Sequence, residues 1–178
     1  DRYNNRFSST GAPDYRFIDE NKSVAVIYLD SFQTATADTV ATKDNDSDLF
    51  MKTVLASIYR ENPNVTDIVI DITTNGGGNI GALLRVLGYI TDNPIELSYQ
   101  DPMENSNLTY FIDLDQEAYD VNWYIMTTKV SFSAANLLAA IAKNQGIATV
   151  IGTQSGGGAS SILPVVTPDG SMFLMSSL

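Results

Sequence analysis

The hydrophobic positions of this chain change period several times, and each change marks a different element. Val24-Ala25-Val26-Ile27-Tyr28-Leu29 is a short, apolar, β-branched run, which predicts a buried strand. Thr34 to Asp48 is polar and acidic and reads as a loop. Phe50, Met51, Val54, Leu55 and Ile58 then recur at helical spacing, with Asp46 or Ser47 placed to cap the helix. Asn62-Pro63-Asn64 breaks that helix, and Ile68 to Ile72 follows as a second strand. Asn75-Gly76-Gly77-Gly78 is a tight turn, after which Ile80, Leu83, Leu84, Leu87 and Ile90 trace one helix face. Residues 92 to 118 are polar and irregular, with short strand patterns near 95–99 and 108–112. Trp123 to Met126 opens a third strand–helix unit, whose helix carries Ala134, Leu137, Leu138 and Ile141 on one face and stops at Gly146. Ala148 to Ile151 is the next strand. Beyond Gly156-Gly157-Gly158, the runs Ile162 to Val166 and Met172 to Met175 flank the turn Pro168-Asp169-Gly170.

Strand and helix patterns in alternation predict an α/β domain with a largely parallel central sheet. A length of 178 residues suits one domain. Its core spans residues 21 to 178, and the polar, turn-rich residues 1 to 20 are expected to be a mobile lead-in. The last residues stand inside strand-like sequence, so a fragment of a longer chain is expected. No apolar run approaches the roughly 20 residues that cross a bilayer.

Composition then removes whole classes of chemistry. The balance is that of a globular chain, 44% apolar and 17% charged, but the net charge is −11 with only 10 Lys and Arg. Nucleic acid and anionic membrane surfaces are excluded as partners, since no basic cluster exists to neutralise phosphates. The absence of cysteine removes disulfides, thiolate catalysis and sulfur-ligated zinc, and the absence of histidine removes the usual general base. No metal site and no cofactor are expected.

Three segments carry candidate chemistry. Asn75 to Gly81 lies between a strand and a helix, where glycines let backbone N–H groups meet an oxyanion or a phosphate. Residues 76 to 81 also satisfy G-x-G-x-x-G, with Glu96 about 20 residues on, as in a dinucleotide site; against this, Thr73-Thr74-Asn75 separate the strand from the first glycine. Ser131-Phe132-Ser133-Ala134-Ala135-Asn136 again joins a strand to a helix. There a serine is most often an N-cap, and alternatively a nucleophile whose intermediate is stabilised by the helix end. Gly152 to Ser160 is a glycine-rich loop that either simply turns the chain or brings backbone close to a substrate.

Taken in order, these segments resemble the core of the S41 (C-terminal-processing, tail-specific) peptidases. The family pattern D-L-R-x-N-G-G-G stands here as Asp71-Ile72-Thr73-Thr74-Asn75-Gly76-Gly77-Gly78, S-A-S-E as Ser133-Ala134-Ala135-Asn136, and G-E-x-T-x-G as Gly152-Thr153-Gln154-Ser155-Gly156-Gly157. The resemblance covers roughly residues 20 to 176. It implies a crotonase/ClpP-like fold, a spiralled, largely parallel sheet with flanking helices. It implies Ser133 as nucleophile, an oxyanion hole from Gly76 or Gly77 with Ala134, and Ser155, Gly156 and Gly157 along the substrate cleft. Protein or peptide substrates and an extracytoplasmic (secreted or cell-envelope) location follow as expectations.

The sequence departs from the family at the base. The processing branch uses a lysine in F-G-K-G, and the corresponding position is Gly158; no Lys or Arg occurs after Lys143. The Ser-Gly-Gly-Gly form of the third motif is more similar to the tricorn-like, histidine-using branch. A histidine base would then come from before Asp1, and its acidic partner from after Leu178. Asp71 is expected to be structural. A missing base costs a factor of about 10²–10⁴, so these residues alone should be nearly inactive. Three functions remain open: a serine endopeptidase core, a non-catalytic S41-like module that binds a peptide or apolar ligand, and a nucleotide or CoA site at Gly76–Gly81.

Overall fold

The structure is a computed structural model that describes residues 13–101, 106–158 and 161–177. The apolar runs become the strands of a five-stranded sheet: β1 (Tyr15–Phe17), β2 (Val24–Tyr28), β3 (Asp67–Asp71), β6 (Asn122–Thr127) and β7 (Thr149–Gly152), side by side in that order. The four from β2 to β7 are parallel, in registers that place Tyr28 beside Asp71, Asp71 beside Met126 and Thr127 beside Gly152. Their carboxyl ends therefore share one edge. Ile27, Ile68, Ile70 and Ile125 are fully buried, as expected where helices cover a parallel sheet.

Three helices do the covering. α1 (Ser47–Glu61) buries Met51, Val54, Leu55 and Ile58, the i, i+3, i+4, i+7 stripe of its sequence. Asp46 is its cap, accepting from the N–H groups of Asp48 and Leu49. α2 (Ile80–Gly88) follows the glycine turn, and α3 (Ala134–Asn144) follows Ser133. Two hairpins complete the described residues: β4 (Ile95–Asp101) with β5 (Ser106–Ile112), and β8 (Ser161–Val166) with β9 (Met172–Ser177). Among the described residues, no helix is long and apolar enough to cross a membrane.

Two expectations need correction. The lead-in ends earlier than residue 20, because Tyr15–Phe17 pairs antiparallel with β2, Tyr15 opposite Ile27 and Phe17 opposite Ala25. Arg16 points out while Tyr15 and Phe17 pack against the core, an alternation too short to stand out among turn residues. Residues 1–12 lie outside the described residues. Ile80 does not share the buried face of α2; it is 46% exposed, and Ala82, Leu83, Val86 and Leu87 form that face. Asn79 caps the helix, so Ile80 is its first residue and stands at the cleft edge of the sheet.

Candidate active site

At the carboxyl edge of the sheet, the loops after β2, β3, β6 and β7 converge, where open α/β sheets bind ligands. The buried side chain of Asn75 joins three of them. It donates to Leu29 O at 3.0 Å and accepts from Gly77 N at 2.8 Å, while its backbone O accepts from Phe132 N at 3.1 Å. Its place before three glycines predicts a turn and not this buried link between loops. The available signal was its position two residues before Gly77, the spacing at which an Asn side chain closes a turn on the backbone.

The three glycines differ. Gly78 forms a bridge to Phe32, through Phe32 N to Gly77 O at 3.0 Å and Asn79 N to Phe32 O at 2.8 Å. Along extended backbone this turns the N–H of Gly78 to the side away from Phe32. Gly77 presses against the junction at Ser133: a Cβ there would fall 2.7 Å from Ser133 Cβ and 3.0 Å from Ala134 N. Its own amide is already held by Asn75 Oδ1, so the expected role of Gly77 as an oxyanion donor shifts to that of a close contact. Gly76 is exposed with open space around it.

The two serines of the second segment are also unlike. Ser131 is fully buried and structural: its Oγ donates to Ile72 O at 2.7 Å and accepts from Thr128 N at 3.0 Å. Ser133 occupies the N-cap position of α3 but makes no capping bond with its side chain. Its backbone sits at φ 55° and ψ −122°, a conformation that costs a non-glycine residue about 1–3 kcal/mol and is found mostly at functional sites. The Ser133 side chain therefore does not fill the capping role at the amino end of α3.

What holds Ser133 in that conformation is the third segment. Ser133 N donates to Gly157 O at 2.8 Å, and Gly156 N donates to Ser131 O at 2.8 Å. Ser155 Oγ donates to Asn136 Oδ1 at 2.7 Å, tying the loop to the first turn of α3. The loop residues expected along a substrate cleft thus bond to the segment that carries Ser133; Ala159 and Ser160 lie outside the described residues. Gly158, at φ 79°, lies under the ring of Phe132, where a Cβ would come within 2.3 Å of Phe132 Cζ. Asp71 is structural, its Oδ1 accepting from Thr73 N at 2.9 Å and Thr73 Oγ1 at 2.6 Å.

The dinucleotide geometry is not formed. Asn79 N is bonded to Phe32 O, and Ala82 N to Asn79 Oδ1, which uses the amides a phosphate would take. Glu96 stands exposed on β4, in a separate two-stranded sheet, rather than at the end of a strand beside β3. No group of acidic residues suited to a metal ion occurs among the described residues.

A strained serine thus stands at a strand–helix junction and faces a glycine turn on a mostly parallel sheet. Residues 23–177 match Peptidase family S41, and the chain belongs to that family. Solved structures agree on the fold. The photosystem II D1 C-terminal processing protease superposes with a TM-score of 0.62 at 19% identity, over 86% of this chain and 36% of that one. A putative peptidase from Parabacteroides merdae gives 0.64 at 16%, over 88% and 47%. A lipoprotein from Streptococcus agalactiae gives 0.61 at 15%, over 98% and 61%. The chain thus spans between about a third and three-fifths of these proteins' lengths. No curated protein sequence matches it.

Proposed function

We propose that this chain is the nucleophile-bearing core of a serine peptidase acting on proteins or peptides, with Ser133 attacking the scissile carbonyl. The backbone of Ser133 carries the proposal: φ 55° with no capping bond is strain without a structural use. The carbonyl oxygen, negative in the tetrahedral intermediate, would be met by the N–H of Ala134 at the start of α3 and by that of Gly78 or Gly76 across the turn. Such donors are typically worth about 2.7–4 kcal/mol each in the transition state.

The proton of the Ser133 hydroxyl needs an acceptor that these residues do not provide. There is no histidine, and Phe132 fills the space at the family's lysine position. The base therefore comes from another segment of polypeptide, as in the histidine-using branch. An extracytoplasmic location goes with this proposal, supported by the cysteine-free, acidic sequence.

The test is a fluorophosphonate probe on the longest natural chain that carries this core. Modification of Ser133 that disappears in Ser133→Ala supports the peptidase. Failure to label a folded chain, together with saturable binding of peptides, would instead establish a non-catalytic peptide-binding module.

A further inference from the structure

A second cleft, of about 800 Å³, opens where α1, the end of α2 and the segment leading into β6 meet, and it shares no residue with the Ser133 site. Three tyrosines line it: Tyr59 from the last turns of α1, Tyr89 from the end of α2, and Tyr119. Tyr119 lies between the others, its ring centroid 5.0 Å from that of Tyr59 and 6.3 Å from that of Tyr89, with the planes tilted by 32° and 41°. Asp48, Glu117 and Asp120 share the wall with a single cation, Lys52. Burial raises the Tyr59 hydroxyl above its ordinary range, with Tyr119 and the negative charge of Asp120, which lines the same cleft, adding to it.

The wall is irregular in backbone yet firmly held. Tyr89 Oη donates to Asp48 Oδ1 at 2.7 Å, and Gln116 Nε2 reaches the same oxygen at 3.5 Å. Ala118 N donates to Asp92 Oδ1 at 2.8 Å, Tyr119 N to Tyr89 O at 3.0 Å, and Trp123 Nε1 to Tyr119 O at 3.2 Å. Gly88 is packed so closely against Gln116 that a Cβ would fall 2.5 Å from Oε1. A loop fixed from several elements in this way presents its side chains in a set geometry, as binding loops do.

Ring faces and carboxylates both carry negative potential, so the cleft selects a cation. Among cationic side chains, a guanidinium fits better than an ammonium. It is planar, stacks on tyrosine rings, is less strongly hydrated, and pairs with a carboxylate through two parallel bonds. We propose that this cleft binds an arginine side chain of a peptide or protein, its guanidinium stacked on the Tyr59–Tyr119 pair and paired with Asp120 or Asp48. The site is independent of the chemistry at Ser133.

The experiment uses the Ser133→Ala chain, so that no outcome depends on cleavage, and follows binding by calorimetry and by the tyrosine NMR resonances. The probe is a short, blocked peptide with one central arginine, compared with its lysine and citrulline counterparts and with free arginine. Saturable binding in the roughly millimolar range is expected for the arginine peptide, weaker for lysine, and at least about tenfold weaker for citrulline. Asp120→Asn, an exposed change, and Tyr119→Leu should each weaken it about three- to tenfold while the urea midpoint of Asp120→Asn stays in place. Citrulline binding as tightly as arginine, no saturable binding at all, or affinity unmoved by Asp120→Asn overturns the proposal. Free arginine binding as well as the peptide overturns the peptide as its source.

Discussion

Gly76 and Gly77 are neighbours in sequence, and the structure makes opposite predictions for adding one methyl group to each. At Gly77 the backbone has φ 107°, where an L-residue is strained, and the new Cβ would stand 2.7 Å from Ser133 Cβ, 2.8 Å from Phe132 O and 3.0 Å from Ala134 N. Two of these neighbours are backbone atoms of the strand–helix junction and do not swing aside. The conformational strain costs about 1–3 kcal/mol, and forcing extra volume into a packed site about 1–3 kcal/mol more. Gly77→Ala should therefore lose roughly 2–6 kcal/mol, a large share of the roughly 5–15 kcal/mol that holds a domain folded. Gly76 has nothing within 4 Å of the same added atom and no positive φ, so Gly76→Ala should stay within about 0.5 kcal/mol of the parent. Urea unfolding of the three chains, with the slope checked for constancy, reads the difference directly. Equal midpoints for Gly76→Ala and Gly77→Ala would refute the packing of the glycine turn against Ser133.

The serines separate in the same way. Ser131→Ala leaves Ile72 O and Thr128 N, the two partners of a buried hydroxyl, without that bond and should cost about 1–3 kcal/mol, whereas Ser133→Ala breaks no side-chain bond and should cost nothing or stabilise slightly; thermal unfolding of the two compares them. Asp46→Ala should cost about 0.5–2 kcal/mol at pH 7 through loss of the α1 cap. Burial pushes the Asp46 carboxyl up, but N–H donation from Leu49, Ala35 and Asp48 outweighs it and holds the pKa below its ordinary value of 3.8. A depressed folded pKa means stability that is present above 3.8 and lost as pH falls through the folded value, so the gap between the parent and Asp46→Ala chains should shrink in urea titrations run at the lowest pH values. A gap that widens on acidification would be incompatible with that cap. Gly158→Lys alone should leave fluorophosphonate labelling of Ser133 unchanged, because the Phe132 ring occupies the start of the lysine's path; labelling restored by the single change would show that the ring is no obstacle.

What the sequence made visible is what local pattern controls. The α1 stripe at Met51, Val54, Leu55 and Ile58 and its cap at Asp46 depend on spacing over a few turns, and both are present. The parallel order of β2, β3, β6 and β7 follows from apolar runs separated by helical ones. Tyr15–Phe17 escaped because three residues are too few for a period. Asn75 escaped for a different reason. Its burial is offset by Leu29 O, which lies 46 residues away in sequence, and no pattern around residue 75 announces that partner. The three consecutive glycines look equivalent until neighbours are placed around them. One then touches Phe32, one touches Ser133, and one touches nothing.

These contacts hold Ser133 in place without any help from a base. Ser133 needs no base in order to be held: Gly157 O takes its N–H, Gly77 packs on its Cβ, and the Ser155–Asn136 bond fixes the loop that supplies Gly157. On the proposed reading, positioning of Ser133 is therefore separable from proton transfer, and the three segments supply the positioning. The place from which the processing branch sends a lysine is sealed by geometry, since residue 158 has φ 79° and lies beneath the Phe132 ring. Phe132 is itself 44% exposed, so its ring covers Gly158 from the surface of the molecule. On the proposed reading, a group entering from another segment would meet Ser133 in a backbone conformation that is already set. Because that arrangement stores its strain in residue 133 itself, its cost is borne by the fold whether or not the base is present.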